Sequence, residues 1–398
     1  MANNAYHISD LISMDACTGC QLCADNCPAV CVEKDGRLSG LYRLQMLKQL
    51  LQSRAPVWKQ LFSRKKMSER QLRDFSDTVF RCTLCGNCEQ VCPIGISLKG
   101  IWLSLRNDLV SCRCYPDKIK MIQSNLEESR NVFNEDNDER SDWVEDMPEA
   151  PDHGFQEDRA EVVYFTGCVS AYFPMVQKIP MALSRILDAA GVNFTLLGED
   201  EWCCGFPLLG AGLGKDAFRS FIEHNIQAVR QKGASTVVFS CPTCYEMWKE
   251  HYPQEFTYIH AVEFIHKLIK KNRLVFEDRP LTVTYHDPCD LGRGTKVYDP
   301  PRKILASLPG VSLIELLNNR ENCKCCGGGG NLEMIDADLS AKIAGQKMKE
   351  VLSTGASTVV TSCQQCVRTM NTYVKRNKIA LDVMDVCQLV EQRLTTER

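Results

Sequence analysis

Eight cysteines in the first hundred residues carry the most specific chemistry of this chain. Cys17, Cys20, Cys23 and Cys27 are spaced C-x2-C-x2-C-x3-C ahead of Pro28, and Cys82, Cys85, Cys88 and Cys92 repeat the spacing ahead of Pro93. Two such runs are the signature of paired [4Fe-4S] cubane clusters. A short loop presents three thiolates to one cube, and the fourth cysteine, held in a different direction, reaches the other cube. The expected ligand sets are Cys17, Cys20, Cys23 and Cys92 for one cubane, and Cys82, Cys85, Cys88 and Cys27 for the other. Structural zinc also takes C-x2-C pairs, but it needs only four ligands and leaves the third evenly spaced cysteine without a role.

Ten further cysteines form two matched sets. Cys168, Cys203, Cys204, Cys241 and Cys244 read C-x34-CC-x36-C-x2-C, and Cys289, Cys325, Cys326, Cys363 and Cys366 read C-x35-CC-x36-C-x2-C. The surrounding sequence is an internal repeat, with GASTVVFSCPTC at 233–244 and GASTVVTSCQQC at 355–366. Five thiolates exceed the four that one cubane or one zinc needs, and adjacent cysteines cannot easily share one corner of a cube. They suit a cluster of unusual shape. The glycine after each pair, and the run Gly327–Gly330, let backbone approach closely enough to donate N–H groups to sulfur. The stretch GAGLGK at 210–215 meets neither the dinucleotide nor the P-loop spacing. Cys31, Cys112, Cys114, Cys323 and Cys387 fit no motif and read as small buried apolar residues, with Cys31 and Cys323 closest to the motifs.

Different elements must position the two kinds of site. The 54 residues from Pro28 to Arg81 include LYRLQMLKQLLQSRAPVWKQLFSRKK, with apolar residues at three- and four-residue steps, so this region is expected to be helical and broken near Pro56. Ser68 is an N-cap candidate for the helix that follows. In the C-terminal half, EVVYFTG, VNFTLLG and STVVFS, then LTVTYH, VSLIELL and STVVTS, read as short buried strands between helices. Each lone cysteine and each C-x2-C pair then lies just past a strand end, the edge at which open α/β sheets bind ligands. The expected architecture is a helical double-[4Fe-4S] ferredoxin-like domain at 1–115, an acidic linker at 116–160, and a duplicated α/β cysteine-rich domain at 161–275 and 276–398. Residues 126–160 hold 13 Asp or Glu against three Arg, too polar to build a core. Arg64, Lys65 and Lys66 read as a solvated helix end.

Composition narrows the class. The 398 residues are 44% hydrophobic and 24% charged, with a net charge of −3, so no global basic field favours nucleic acid. No run approaches the roughly 18 apolar residues of a membrane span, and MANNAYHISD has no export signature. The expected location is the cytoplasm, with any membrane attachment made through a partner subunit. In that reducing compartment, 23 cysteines at regular spacing point to metal rather than disulfides.

The paired C-x(31–39)-CC-x(35–36)-C-x2-C motifs, with FTGC, LGEDEWCCG and TYHDPCDLGR, resemble the cysteine-rich CCG domain family. Preceded by a double-cluster domain, they resemble the D subunit of heterodisulfide reductase, or its C and B subunits fused. The resemblance covers nearly the whole chain except the acidic segment. It implies two noncubane [4Fe-4S] clusters, one on each five-cysteine set, flanking a site where a disulfide between two small thiols is reductively split. The two cubanes then feed electrons from a flavoprotein or a membrane cytochrome b. All ten CCG positions are filled, which favours this branch over relatives with incomplete motifs. His286, beside Cys289, is a candidate proton or hydrogen-bond donor to a leaving thiolate, with Thr166 read as its counterpart in the first half. The competing expectation is a pure electron-relay subunit of a larger anaerobic redox complex, with no substrate of its own.

Overall fold

A computed structural model of the chain describes residues 6–54 and 67–395. They fall into two compact units. The first comprises the chain up to Ile122 with the short segments Pro207–Ala217 and Gly327–Gln346, and the second holds Gln123–Phe206, Phe218–Cys326 and the chain from Lys347 onward.

The regular elements of the first unit are helical among the described residues. Helix Gly40–Ser53 begins where the Ser39 side chain accepts from Tyr42 N–H. Helix Glu69–Phe80 begins at Ser68, whose hydroxyl accepts from Gln71 N–H while the Gln71 side chain returns to the Ser68 N–H, a capping box that satisfies two orphan donors. Leu44 and Leu47 of the first helix, Phe75 and Val79 of the second, and Ile101 and Leu105 of helix Leu98–Ser111 are buried at three- and four-residue spacing and form the core. The expected break at Pro56 and the basic run Arg64–Lys66 lie outside the described residues.

One buried cation binds the segments of this unit together. Arg106, fully buried, donates to the carbonyl oxygens of Gly210, Gly330, Val79, Phe80 and Cys82 at 2.6–3.2 Å. Burial holds its guanidinium below the usual range, to about 10, and five carbonyl dipoles compensate the charge. Gly330 approaches the same strand of chain: it has φ +64°, and a Cβ there would lie 2.5 Å from the Cys82 oxygen. The glycine run thus serves close backbone packing beside a ferredoxin-type loop.

The second unit contains two parallel four-stranded sheets of one topology. Strands β1 (Val162–Phe165), β2 (Phe194–Leu196), β3 (Thr236–Phe239) and β4 (Thr257–His260) are ordered β2-β1-β3-β4. Strands β5 (Leu281–His286), β6 (Val311–Glu315), β7 (Thr358–Thr361) and β8 (Asp382–Asp385) are ordered β6-β5-β7-β8. The central strands, VVYF and TVVT, are buried along their whole length, as parallel strands covered by crossover helices must be. Val162 pairs with both Phe194 and Thr236, so β1 is central in its sheet, as β5 is in the other. This register corrects one expected equivalence. β1 ends at Phe165, paired with Phe239, and β5 ends at His286, paired with Thr361, so the counterpart of His286 is Phe165 rather than Thr166.

The acidic segment carries structure of its own. Residues Asp138–Val144 form a 3-10 helix that buries Arg140 and Trp143. The one basic residue of this turn points inward, away from the acidic surface around it.

Candidate metal centres

The two ferredoxin-type runs build similar loops. Cys23 and Cys88 sit in one-turn helices, Leu22–Asp25 and Asn87–Gln90, each preceded by a residue in the left-handed region, Gln21 at φ 68° and Gly86 at φ 70°. Cys27 stands at the N-cap position of helix Pro28–Glu33. Buried Asn87 donates to the Asn26 carbonyl at 2.7 Å and ties one loop to the other.

Two cavities result. Cys17, Cys20, Cys23 and Cys92 line one. Cys27, Cys82, Cys85 and Cys88 line another. The fourth cysteine of each run therefore lies at the other run's cavity. In the second cavity burial pushes the Cys27 thiol up to about 11, with Arg43 opposing it. Trp102 also lines this cavity, and its indole N–H has no oxygen or nitrogen acceptor among the described residues. It is placed to stabilise a Cys88 thiolate. Four converging thiols and a buried N–H donor beside them are the chemistry that an iron–sulfur cube requires of its walls.

The first five-cysteine set gathers at the C-terminal edge of its sheet. Cys168 opens helix Cys168–Tyr172 after β1, and Cys241 stands at the N-cap of helix Pro242–His251 after β3, with Cys244 in its first turn. The thiols form a chain of sulfur contacts from Cys168 to Cys203, Cys204, Cys244 and Cys241. All five are buried. Hydrogen bonds from Cys203 and Cys244 hold the Cys204 thiol down to about 6.

The second set is built alike with an added polar arm. Cys326 and Cys366 sulfurs are 3.2 Å apart, and Cys325 and Cys363 contact this pair. Cys289 is half-buried just past the end of β5. His286 is buried, hydrogen-bonds Cys326, and has its Nδ1 3.4 Å from Cys323 Sγ. Burial opposes a charge on His286, but the Cys323 thiolate and the bonds to Cys323 and Cys326 prevail and push it up to about 9. Lys347 Nζ, fully buried, lies 3.5 Å from Cys323 Sγ and 2.9 Å from Glu350. Burial opposes a Cys323 thiolate, but Lys347 and His286 together lower the thiol. Motif spacing gives Cys323 no role; the fold makes it a sixth sulfur beside the second set.

The two sets adjoin. Gln364, inside the second C-x2-C, donates to Thr166 O and Ser240 Oγ, both at 2.8 Å. Thr243, inside the first C-x2-C, donates to Asp290 Oδ2 at 2.6 Å. Cys241 and Cys363 are near enough for charge on one to raise the other. Ten thiols in free form, nine of them buried, with cations beside them, suit metal-bound thiolates far better than an apolar core.

Comparison with known proteins agrees with this geometry. The cysteine-rich CCG domain family matches residues 162–249 and 283–371, and the 4Fe-4S dicluster domain family matches 13–96. The chain is 34% identical over 396 residues to the D subunit of the dihydromethanophenazine:CoB–CoM heterodisulfide reductase of Methanosarcina acetivorans, covering 96% of this chain and 95% of that protein. The D subunit of the same enzyme from Methanosarcina mazei is also 34% identical, over 97% of this chain and 95% of its own. The EtfAB:quinone oxidoreductase of Syntrophomonas wolfei is 27% identical over 96% of this chain and 58% of that protein. The chain belongs to the family of heterodisulfide reductase D subunits.

Proposed function

We propose that this protein is the iron–sulfur subunit of a heterodisulfide-reductase-like complex in which the duplicated C-terminal half is the chemical site. The observation that carries the reading is the cross-bonding of two complete five-cysteine sets, through Gln364 to Thr166 and Thr243 to Asp290. Two adjoining centres match the two sulfurs of one disulfide. The substrate class is a disulfide of two small thiols, of the kind named for the Methanosarcina relatives. Two electrons split the S–S bond into two thiolates, and two protons complete the two thiols.

When bound, the clusters supply single electrons: two cubanes on the crossed ligand sets, and two noncubane centres on the sets ending in Cys244 and Cys366. The chain's own residues bind, orient and neutralise. Cys17, Cys20, Cys23 and Cys92 hold one cubane, and Cys82, Cys85, Cys88 and Cys27 the other, with Trp102 donating its N–H inward. Cys168, Cys203, Cys204, Cys241 and Cys244 hold the first noncubane centre, and Cys289, Cys325, Cys326, Cys363 and Cys366 the second. His286, fixed by Cys323 and Cys326, carries a proton at the second set. Electron donors of the flavoprotein or cytochrome b class complete the complex. Among the described residues no helix is long and apolar enough to cross a membrane. We place the chain in the cytoplasm, the compartment in which so many thiols stay reduced, with any hold on the membrane made through its partner.

The test is iron and acid-labile sulfide on anaerobically purified protein, followed by titration of the reduced protein with small disulfides. About sixteen irons per chain and thiol release support the reading. Electron transfer to a partner without turnover of any disulfide supports the relay alternative instead.

A further inference from the structure

We infer that Arg140, from the acidic segment ahead of the first sheet, is the positioning residue that sets the reduction potential of the first five-cysteine centre. This rests on the reading of that set as a cluster site. Arg140 is 1% exposed, and its Nη2 lies 3.6 Å from Cys168 Sγ. Its Nη1 pairs with Glu201 Oε1 at 2.7 Å, and Glu201 is equally buried. Asn137 Oδ1 accepts from the same guanidinium at 3.3–3.4 Å, and the Tyr172 ring lies 5.2 Å from it. The side chain is held from four directions and cannot swing away.

The geometry makes the arginine, rather than its carboxylate partner, the charge the sulfur feels. The guanidinium bonds the sulfur directly, whereas the charge of Glu201 is drawn by two further donors, Thr166 N–H at 2.7 Å and Gly167 N–H at 2.8 Å. Those two amides belong to the turn that presents Cys168. Glu201 thus fixes the turn, and Arg140 places positive charge against the thiolate. A buried cation is little screened by solvent. It favours the reduced, more negative state of a centre bound through that sulfur, and so raises its potential. At the second set the buried cation on a motif cysteine is His286, which hydrogen-bonds Cys326, while Lys347 meets Cys323. The duplicated centres therefore lie beside different buried cations.

The test is a redox titration of the anaerobic full chain followed by electron paramagnetic resonance. The first-centre signal is identified as the one lost in Cys204→Ser. Arg140→Lys keeps the charge, and the double variant Arg140→Gln/Glu201→Gln removes both buried charges together while keeping hydrogen-bonding shape. At the wild-type midpoint, the double variant should show an approximately tenfold lower ratio of reduced to oxidised first centre, about 59 mV for a one-electron couple. The other three centres should not move, and Arg140→Lys should keep most of the wild-type value. An unmoved first centre in the double variant, an equal shift in Arg140→Lys, or loss of first-centre iron in both variants overturns the assignment. Absence of any C-terminal signal in the wild-type protein overturns the functional reading along with it, so the two failures are told apart.

Discussion

Gln364 donates its side-chain N–H to the Thr166 carbonyl at 2.8 Å across the pseudo-symmetric halves of the duplicated unit. The bond runs from inside one C-x2-C turn to the loop that presents Cys168. Its approximate reciprocal is Thr243 to Asp290, the neighbour of Cys289. Each C-x2-C turn is thus anchored on the loop of the other set, and the two sets cannot shift independently.

Gln364→Leu should therefore weaken both halves at once. Ser240 retains Tyr164 and Thr166 O retains Ser170 as partners, so the loss is about 1–2 kcal/mol. A lower melting temperature with altered spectra of both C-terminal centres is expected. A change confined to one centre contradicts the anchoring.

Cys27→Ser should damage the cubane that sits on Cys82, Cys85 and Cys88, because Cys27 lines that cavity. The other cubane keeps Cys17, Cys20, Cys23 and Cys92. Iron content should fall by about four per chain at most. Selective loss of the signal assigned through Cys20→Ser would show that the ligands do not cross.

Lys347→Met should be strongly destabilising. It leaves the Glu350 carboxylate, 13% exposed, without its buried cation, and Cys323 with His286 alone beside it. Removing one partner of a buried pair costs about 3–5 kcal/mol. Lys347→Met with Glu350→Gln should recover part of that loss, measured by chemical unfolding under anaerobic conditions.

Gly330→Ala adds a methyl 2.5 Å from the Cys82 carbonyl at a positive φ. The Cys82–Thr83 backbone or the Arg106 network must yield. A cost of about 1–3 kcal/mol and loss of the cubane on Cys82, Cys85 and Cys88 should follow; undisturbed iron content would refute the close-packing role.

His260 caps helix Ala261–Lys270 and is fully buried, with its basicity lowered by burial to about 3. The unfolded chain binds this proton near pH 6.5, so between that pH and about pH 3 the unfolded state holds more protons. Stability from this site is full above about pH 6.5 and falls as pH drops, by about 1.4 kcal/mol at about pH 5.5. His260→Asn keeps a capping side chain and should flatten the fall in melting temperature between about pH 7.5 and about pH 5.5. An unchanged slope would locate the acid sensitivity elsewhere.

The strands next to the cysteines were legible because VVYF, TVVF and TVVT are buried on both faces and so read as continuous apolar runs. β4 and β8 were not, because TYIH and DVMD mix polar and apolar residues at sheet edges. Ser68 was legible as a cap because its partner, Gln71, is three residues away. Arg140, Glu201, Lys347 and Arg106 were invisible to motif spacing. Their partners lie 61, 61, 24 and up to 224 residues distant, and a charged residue in an acidic or amphipathic stretch looks like a solvated one. The available signal was an isolated Arg in the acidic segment and a sixth cysteine, Cys323, beside a five-cysteine set.

The most direct test of the account is titration of the reduced, anaerobic full chain with a small heterodisulfide while released thiol and the paramagnetic spectra are recorded together. Two thiols per disulfide are expected, with a change in the signals assigned through Cys204→Ser and Cys326→Ser and the cubane signals perturbed only by oxidation. No thiol release, with both C-terminal signals indifferent to disulfide and thiol while electrons still reach a partner, would contradict it.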